Sequence, residues 1–206
     1  MLSARYSTDM ERIDEIDRRE LIDYYLEGER WRKNVNIPAG RGVLNWEDPN
    51  ALDDWLKGNN YKHGIITGFK RWVYVRLTKD DLMDCAIVNT IFPNTSQRLG
   101  DHAITPDLQE WEPPEDKIWY EPLSQGKVDE RFAVILRPAC KSERDQKAKL
   151  YVEDGSGRMT CYFRALMNGN KESQMTGYLG LEPDVKSDFV TNKFSEFVTQ
   201  QPHFPM

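Results

Sequence analysis

A short strand that breaks into a glycine-containing turn and restarts as a helix constrains this chain more than anything else in it. Lys149 to Glu153, Lys-Leu-Tyr-Val-Glu, reads as a strand. Asp154, Gly155, Ser156 and Gly157 follow as a turn. Arg158 to Met167 then places Met159, Tyr162, Phe163, Leu166 and Met167 at helical spacing, and Asn168 and Gly169 end the run. The first N–H groups of a helix lack internal partners, and its aligned peptide dipoles favour an anion there. Gly155 and Gly157 permit close backbone approach, Ser156 offers a hydroxyl, and Arg158 offers a fork suited to phosphate oxygens. Gly155, Ser156, Gly157 and Arg158 are therefore the expected phosphate-binding set. Asp154 would repel a phosphate, so its role is to cap the helix, hold a metal or accept a substrate proton. The same residues also suit an ordinary turn, and the Lys-Ser/Thr of a Walker A loop is missing.

The rest of the chain supplies further elements. Phe132 to Arg137 reads as a buried strand, Lys141 to Gln146 as a polar stretch, and Met175 to Leu181 as another strand. Trp72 to Leu77 is β-rich, and Thr78 with Asp81 predicts a capped helix running to Ile87. Thr8 with Glu11 fits a capping box for a helix carrying Ile13, Ile16, Leu21, Tyr24 and Tyr25, closed by Gly28. Asp48 and Pro49 open a short helix with Leu52, Trp55 and Leu56. Residues 94–116 read as a long exposed loop, and Val185 to Val190 as more extended chain. The pattern predicts an α+β (mixed α/β) fold, a small mixed sheet flanked by helices. Residues 1–70 form a helical N-terminal extension and residues 71–206 a nucleotide-binding domain.

Composition narrows the function classes. A net charge of −6 disfavours sequence-independent binding to a phosphate backbone. Cys85, Cys140 and Cys161 are odd in number and widely spaced, and His63, His102 and His203 are scattered, so no zinc signature exists and reduced thiols are expected. No stretch approaches ~20 apolar residues, and residues 1–10 lack an apolar signal core. The expectation is a cytoplasmic protein with no membrane association.

The order of parts over residues 118–190 resembles the ParB/sulfiredoxin-like superfamily. Tyr120 to Lys127 matches the short helix and glycine that precede the first strand. Phe132–Arg137 and Lys149–Glu153 match the two strands, and Asp154-Gly155-Ser156-Gly157-Arg158 matches the turn of type D-G-x-x-R. The superfamily includes sulfiredoxin, a free-serine kinase and a chromosome-partitioning CTP switch. The resemblance implies that the turn and its Arg hold the phosphates of ATP or another nucleoside triphosphate. Sulfiredoxins carry Cys where this chain has Ser156, which argues against that redox chemistry. Many relatives carry His where it has Gly157, a missing phosphate contact. A basic helix-turn-helix after Val190 is also not evident.

Other residues are candidates by position. Arg137 ends a strand and is a second candidate for the phosphate cleft, against a solvated role. Asp129 or Glu130 would suit Mg²⁺ between phosphates, with Glu130 the named metal ligand. Glu153 and Asp154 are the catalytic candidates, as paired acids that could orient a hydroxyl. Cys161 reads as a small core residue rather than a nucleophile. Trp55, Trp72, Trp111 and Trp119 read as core rather than as a stacking set for a base. The expected function is phosphoryl transfer from ATP or a related nucleotide, with Mg²⁺, to a hydroxyl on a small molecule or nucleic acid. The alternatives are a nucleotide-gated binding module, a DNA-acting protein and an interaction or inhibitor protein.

Overall fold

The computed structural model describes residues 10–25, 60–93, 95–112, 120–128, 132–170 and 174–184. Among these residues one six-stranded mixed sheet organises the chain. Its strands are β1 (Glu11–Ile16), β2 (Phe69–Arg76), β3 (Cys85–Ala86), β4 (Val134–Pro138), β5 (Leu150–Asp154) and β6 (Thr176–Pro183), in the spatial order β1-β2-β6-β4-β5-β3. β4 runs parallel to β6 and antiparallel to β5, and β3 runs parallel to β5. β4 is buried along its whole length, which explains its nearly continuous apolar sequence. The class is α+β, as expected.

Alternation in the strands sorts side chains to two faces. On one face Val73, Val75, Val134, Leu136, Leu150, Val152 and Leu179 meet Met159, Tyr162 and Phe163 of α6 (Ser156–Met167). On the other, Trp72 and Ile135 pack with Leu21 and Tyr25 from the helical residues 18–25, and with Ile65 and Ile66 of α1 (Asn60–Thr67). Each such fully buried large apolar side chain contributes about 1.5–3 kcal/mol. The helix α6 ends as its sequence predicts. Gly169 takes φ 85°, the Asn170 N–H reaches the Ala165 carbonyl and the Gly169 N–H reaches that of Leu166.

Several expectations change in the structure. Residues 11–16 are a strand, where helical spacing predicted a helix. Glu11 and Glu15 pair across to Arg76 and Arg71 of β2, so cross-strand pairing overrides the local pattern. The capping box lies at Asp17 and Glu20, each side chain accepting from the other's N–H, and the helix starts there. Strands from both sides of residue 70 thus share one sheet.

The capping box at Thr78 and Asp81 does form, opening α2 (Lys79–Met83). That helix stops early because Cys85 and Ala86 pair with β5. Within residues 94–116, a 3-10 turn (Leu99–His102) and α3 (Pro106–Glu110) bury Leu99, His102 and Leu108. The loop reading missed those anchors. The short helix before the first strand is α4 (Tyr120–Ser124), closed by Gly126 at φ 76°. The polar stretch after β4 is α5 (Lys141–Asp145). The helix expected from Asp48 and the extended chain at Val185–Val190 lie outside the described residues.

Candidate functional site

The turn begins in an irregularity of β5. Ile135 pairs with Asp154 and Leu136 with Val152, so Glu153 is the extra residue of a β-bulge. Bulges re-aim side chains and often lie next to sites. Here the two consecutive acids each take an arginine. Glu153 accepts from Arg137 Nε at 2.5 Å, and Asp154 accepts from Arg158 Nη2 at 2.8 Å.

Gly155 follows at φ 97°, a left-handed conformation that side chains disfavour, and it is the N-cap of α6. It supplies no side-chain cap to the N–H groups of the first turn. The Arg158 guanidinium folds back over it. A Cβ added at Gly155 would lie 2.8 Å from Nη2 and 3.0 Å from Nε. Arg158 Nη1 donates to the Tyr24 hydroxyl at 2.8 Å, and Tyr24 in turn donates to the Ala133 carbonyl. Burial alone would weaken the charge on Arg158. Tyr24, Asp154 and Tyr25 outweigh it, and the proton is held more tightly than on a free guanidinium.

The other turn residues face the protein. Gly157 lies against Tyr120, whose hydroxyl would be 2.4 Å from an added Cβ, so glycine there admits α4 to the start of α6. Ser156 is buried. Its hydroxyl accepts from the Val88 N–H and donates to the Val152 carbonyl, both at 3.4 Å.

Arg137 has its own setting. Its Nη1 and Nη2 donate to the two Glu143 oxygens at 2.8 and 2.7 Å, and Nη1 also reaches the Pro138 carbonyl. The guanidinium lies 4.2 Å from the centre of the Tyr151 ring. All three nitrogens are therefore engaged inside a buried cluster with Glu143 and Glu153. This differs from both expectations for Arg137, the phosphate cleft and the solvated strand end. Burial pushes the Glu143 carboxyl up, but Arg137 and the Cys140 N–H outweigh it and hold the carboxyl below its ordinary range. Burial and the Glu153 charge push the Tyr151 phenol up to about 12.

The structure thus brings Asp154, Gly155, Ser156, Gly157 and Arg158 together, and gives Glu153 to the Arg137 cluster. Glu130 and Asp129 lie outside the described residues, as do Trp55 and Trp119. Trp72 is core, and Trp111 is half-buried at the end of α3. Cys161 is buried, and burial pushes its thiol up to about 11, as expected of a core residue. Sequence reasoning missed Tyr24 and Tyr120, which carry no local signal. It also missed Glu143, whose signal was its place three residues after the residue that precedes α5. Among the described residues no group of three or more His, Cys, Asp or Glu is placed to hold a metal ion. None of their helices is long and apolar enough to cross a membrane. Comparison of the chain with family models, curated proteins and solved structures returns no match.

Proposed function

We propose that the chain binds a nucleoside triphosphate through the turn at Gly155–Arg158 and transfers its terminal phosphoryl group to a hydroxyl acceptor. The observation that carries this reading is the start of α6. A twelve-residue helix begins at a left-handed glycine with no side-chain cap, and a guanidinium lies across that glycine. Backbone N–H groups, a helix dipole and an Arg fork then converge on one place. The resemblance of the 118–190 region to ParB/sulfiredoxin-like proteins supports the same reading.

In this reading the phosphates draw Arg158 from Asp154, and the freed carboxylate is the group that orients the acceptor hydroxyl. Glu153, tied to Arg137, keeps the bulge in place and acts through position. Mg²⁺ would accompany the nucleotide, with Asp154 the carboxylate of the turn that could help hold it, since no group of three or more His, Cys, Asp or Glu among the described residues is placed to bind a metal. The ion would neutralise charge that develops during transfer, and the chain would supply placement.

The Asp154–Arg158 pair also favours a second reading, a nucleotide-gated binding module without turnover. A phosphate that takes Arg158 from both Asp154 and Tyr24 would loosen the helix of residues 18–25 from the turn.

Titration calorimetry with ATP, CTP and GTP, with and without Mg²⁺, tests the binding. Saturable binding that Arg158→Ala removes is the expected result. No heat with any nucleotide, or equal affinity in Arg158→Ala, sinks the phosphate reading. Phosphoryl transfer to added hydroxyl acceptors then separates the enzyme from the gated module.

A further inference from the structure

The 3-10 turn and α3 meet at a buried histidine. His102 is 3% exposed, and its ring stacks on Phe92 with centres 4.0 Å apart. Nε2 lies 2.8 Å from the Ser96 carbonyl. A carbonyl can only accept, so Nε2 carries a proton whether the ring is neutral or charged. Nδ1 is buried without a hydrogen-bond partner, and Asp107 Oδ2 of α3 faces it at 3.8 Å. In the neutral ring Nδ1 is a lone pair, so two acceptors oppose each other across the contact. In the imidazolium Nδ1 is a donor, and the same pair becomes a charge-assisted bridge.

The neighbouring charges favour that change. Asp107 stands in the first turn of α3, which also carries Glu110 at its far end. Asp101, beside His102 in the 3-10 turn, is close enough to attract a charged ring. Arg98 opposes a second positive charge, but Asp84 and Asp101 hold it. Of the other elements packed on the turn, α2 keeps Asp81 on its own cap at Thr78, and β3 brings the buried thiol of Cys85. What the bridge grips is α3, whose Trp111 N–H donates to the Asp107 carbonyl at 3.0 Å.

We propose that His102 and Asp107 form a pH-sensitive latch, in which protonation of Nδ1 binds α3 to the 3-10 turn and loss of that proton loosens it. Histidine suits this role because its charge changes near neutral pH. The latch is closed at low pH while Asp107 stays ionised, and it opens as the pH rises through the titration of His102. With the latch open, α3 is held by its buried Leu108 and by Arg164 of α6, which donates to the Trp111 carbonyl. The device is separate from the phosphate turn.

The test uses the full chain labelled with ¹⁵N and ¹³C, with the His102 ring assigned through its backbone. Two quantities are followed between about pH 5 and 8, the His102 ring signal and the hydrogen-exchange protection of the Trp111 amide. Protection should fall by about threefold across that range and follow the ring signal, while the amides of β4 keep theirs. Asp107→Asn changes an exposed position. Its amide can donate to the neutral ring or accept from the charged one, so Trp111 protection should become independent of pH and the His102 midpoint should move to lower pH. Trp111 protection that ignores the His102 titration, an equal change throughout β4, or an unaltered pH dependence in Asp107→Asn would overturn the proposal.

Discussion

Replacing Arg137 with Met separates a structural arginine from a phosphate ligand. The substitution keeps most of the side-chain volume and removes the counter-charge of two buried carboxylates, Glu143 and Glu153, which are 6% and 8% exposed. It deletes charge-assisted hydrogen bonds of 2.5, 2.7 and 2.8 Å. Breaking one side of a buried ion cluster typically costs ~3–5 kcal/mol, a large share of the ~5–15 kcal/mol that holds a domain together. The dependence on pH has a definite sign. In the native chain Glu143 lies below its ordinary value of 4.5. It therefore adds stability above that value and loses it as the pH falls through the lower, folded value. Without Arg137, burial dominates and raises Glu143. The group then costs stability at neutral pH and recovers as acid protonates it. Urea unfolding followed by circular dichroism should show the deficit of Arg137→Met largest at pH 7 and smaller at pH 5. Adding Glu143→Gln and Glu153→Gln should return part of the loss at pH 7, because neutral amides need no counter-ion. A variant as stable as the native chain at both pH values, but unable to bind nucleotide, would refute the structural role and restore Arg137 to the phosphate site.

Three further outcomes follow from named contacts. Gly155→Ala should destabilise by about 2–3 kcal/mol in chemical denaturation, since left-handed backbone costs ~1–2 kcal/mol and its Cβ would meet Val134 Cγ1 at 2.8 Å. Lys147→Gly should stabilise by about 0.5–1 kcal/mol in the same assay. Lys147 has φ 66° just after α5, where the Ala148 N–H closes onto the Glu143 carbonyl and glycine is the relaxed choice. In the folded chain a thiol reagent at pH 8 should modify Cys140 first, because Cys85 and Cys161 are fully enclosed while Cys140 is half-exposed, even though burial raises all three thiols. Equal rates for all three would contradict the packing described above.

Legibility in the sequence followed the range of the forces involved. The end of α6 could be read because Asn168 and Gly169 act on their own neighbours. The buried strand β4 could be read because both its faces are covered, which imposes a continuous apolar run. Residues 11–16 misled because Ile13 and Ile16 fit a helix by spacing, while Arg71 and Arg76, some 60 residues away, decide the outcome. His102 and Leu108 could not be placed from a proline-containing stretch that looks solvated, since their burial depends on contacts beyond the local run. At the site the local turn was legible and the partners were not. Tyr24 is 134 residues from Arg158, and no spacing rule connects them.

The two arginines nearest the turn differ in what an incoming anion would have to undo. Arg137 is held by two carboxylates through all its nitrogens, deep in the cluster, so capturing it would strand two buried charges. Among its partners, Arg158 donates to Asp154, whose side chain is 27% exposed, and to the hydroxyl of Tyr24. Releasing Asp154 returns a partly exposed carboxylate to water, but Arg158 is itself only 8% exposed, so the incoming anion must replace that partner directly. A phosphate at the start of α6 would offer Arg158 a stronger, bidentate partner. The bulge at Glu153 makes this division of labour possible. In an unbroken strand Glu153 and Asp154 would point to opposite faces, and both arginines could not be served from adjacent residues. Removing the bulge by deleting Glu153 should therefore disturb Arg137 packing and Arg158 orientation together, although each arginine has a different carboxylate.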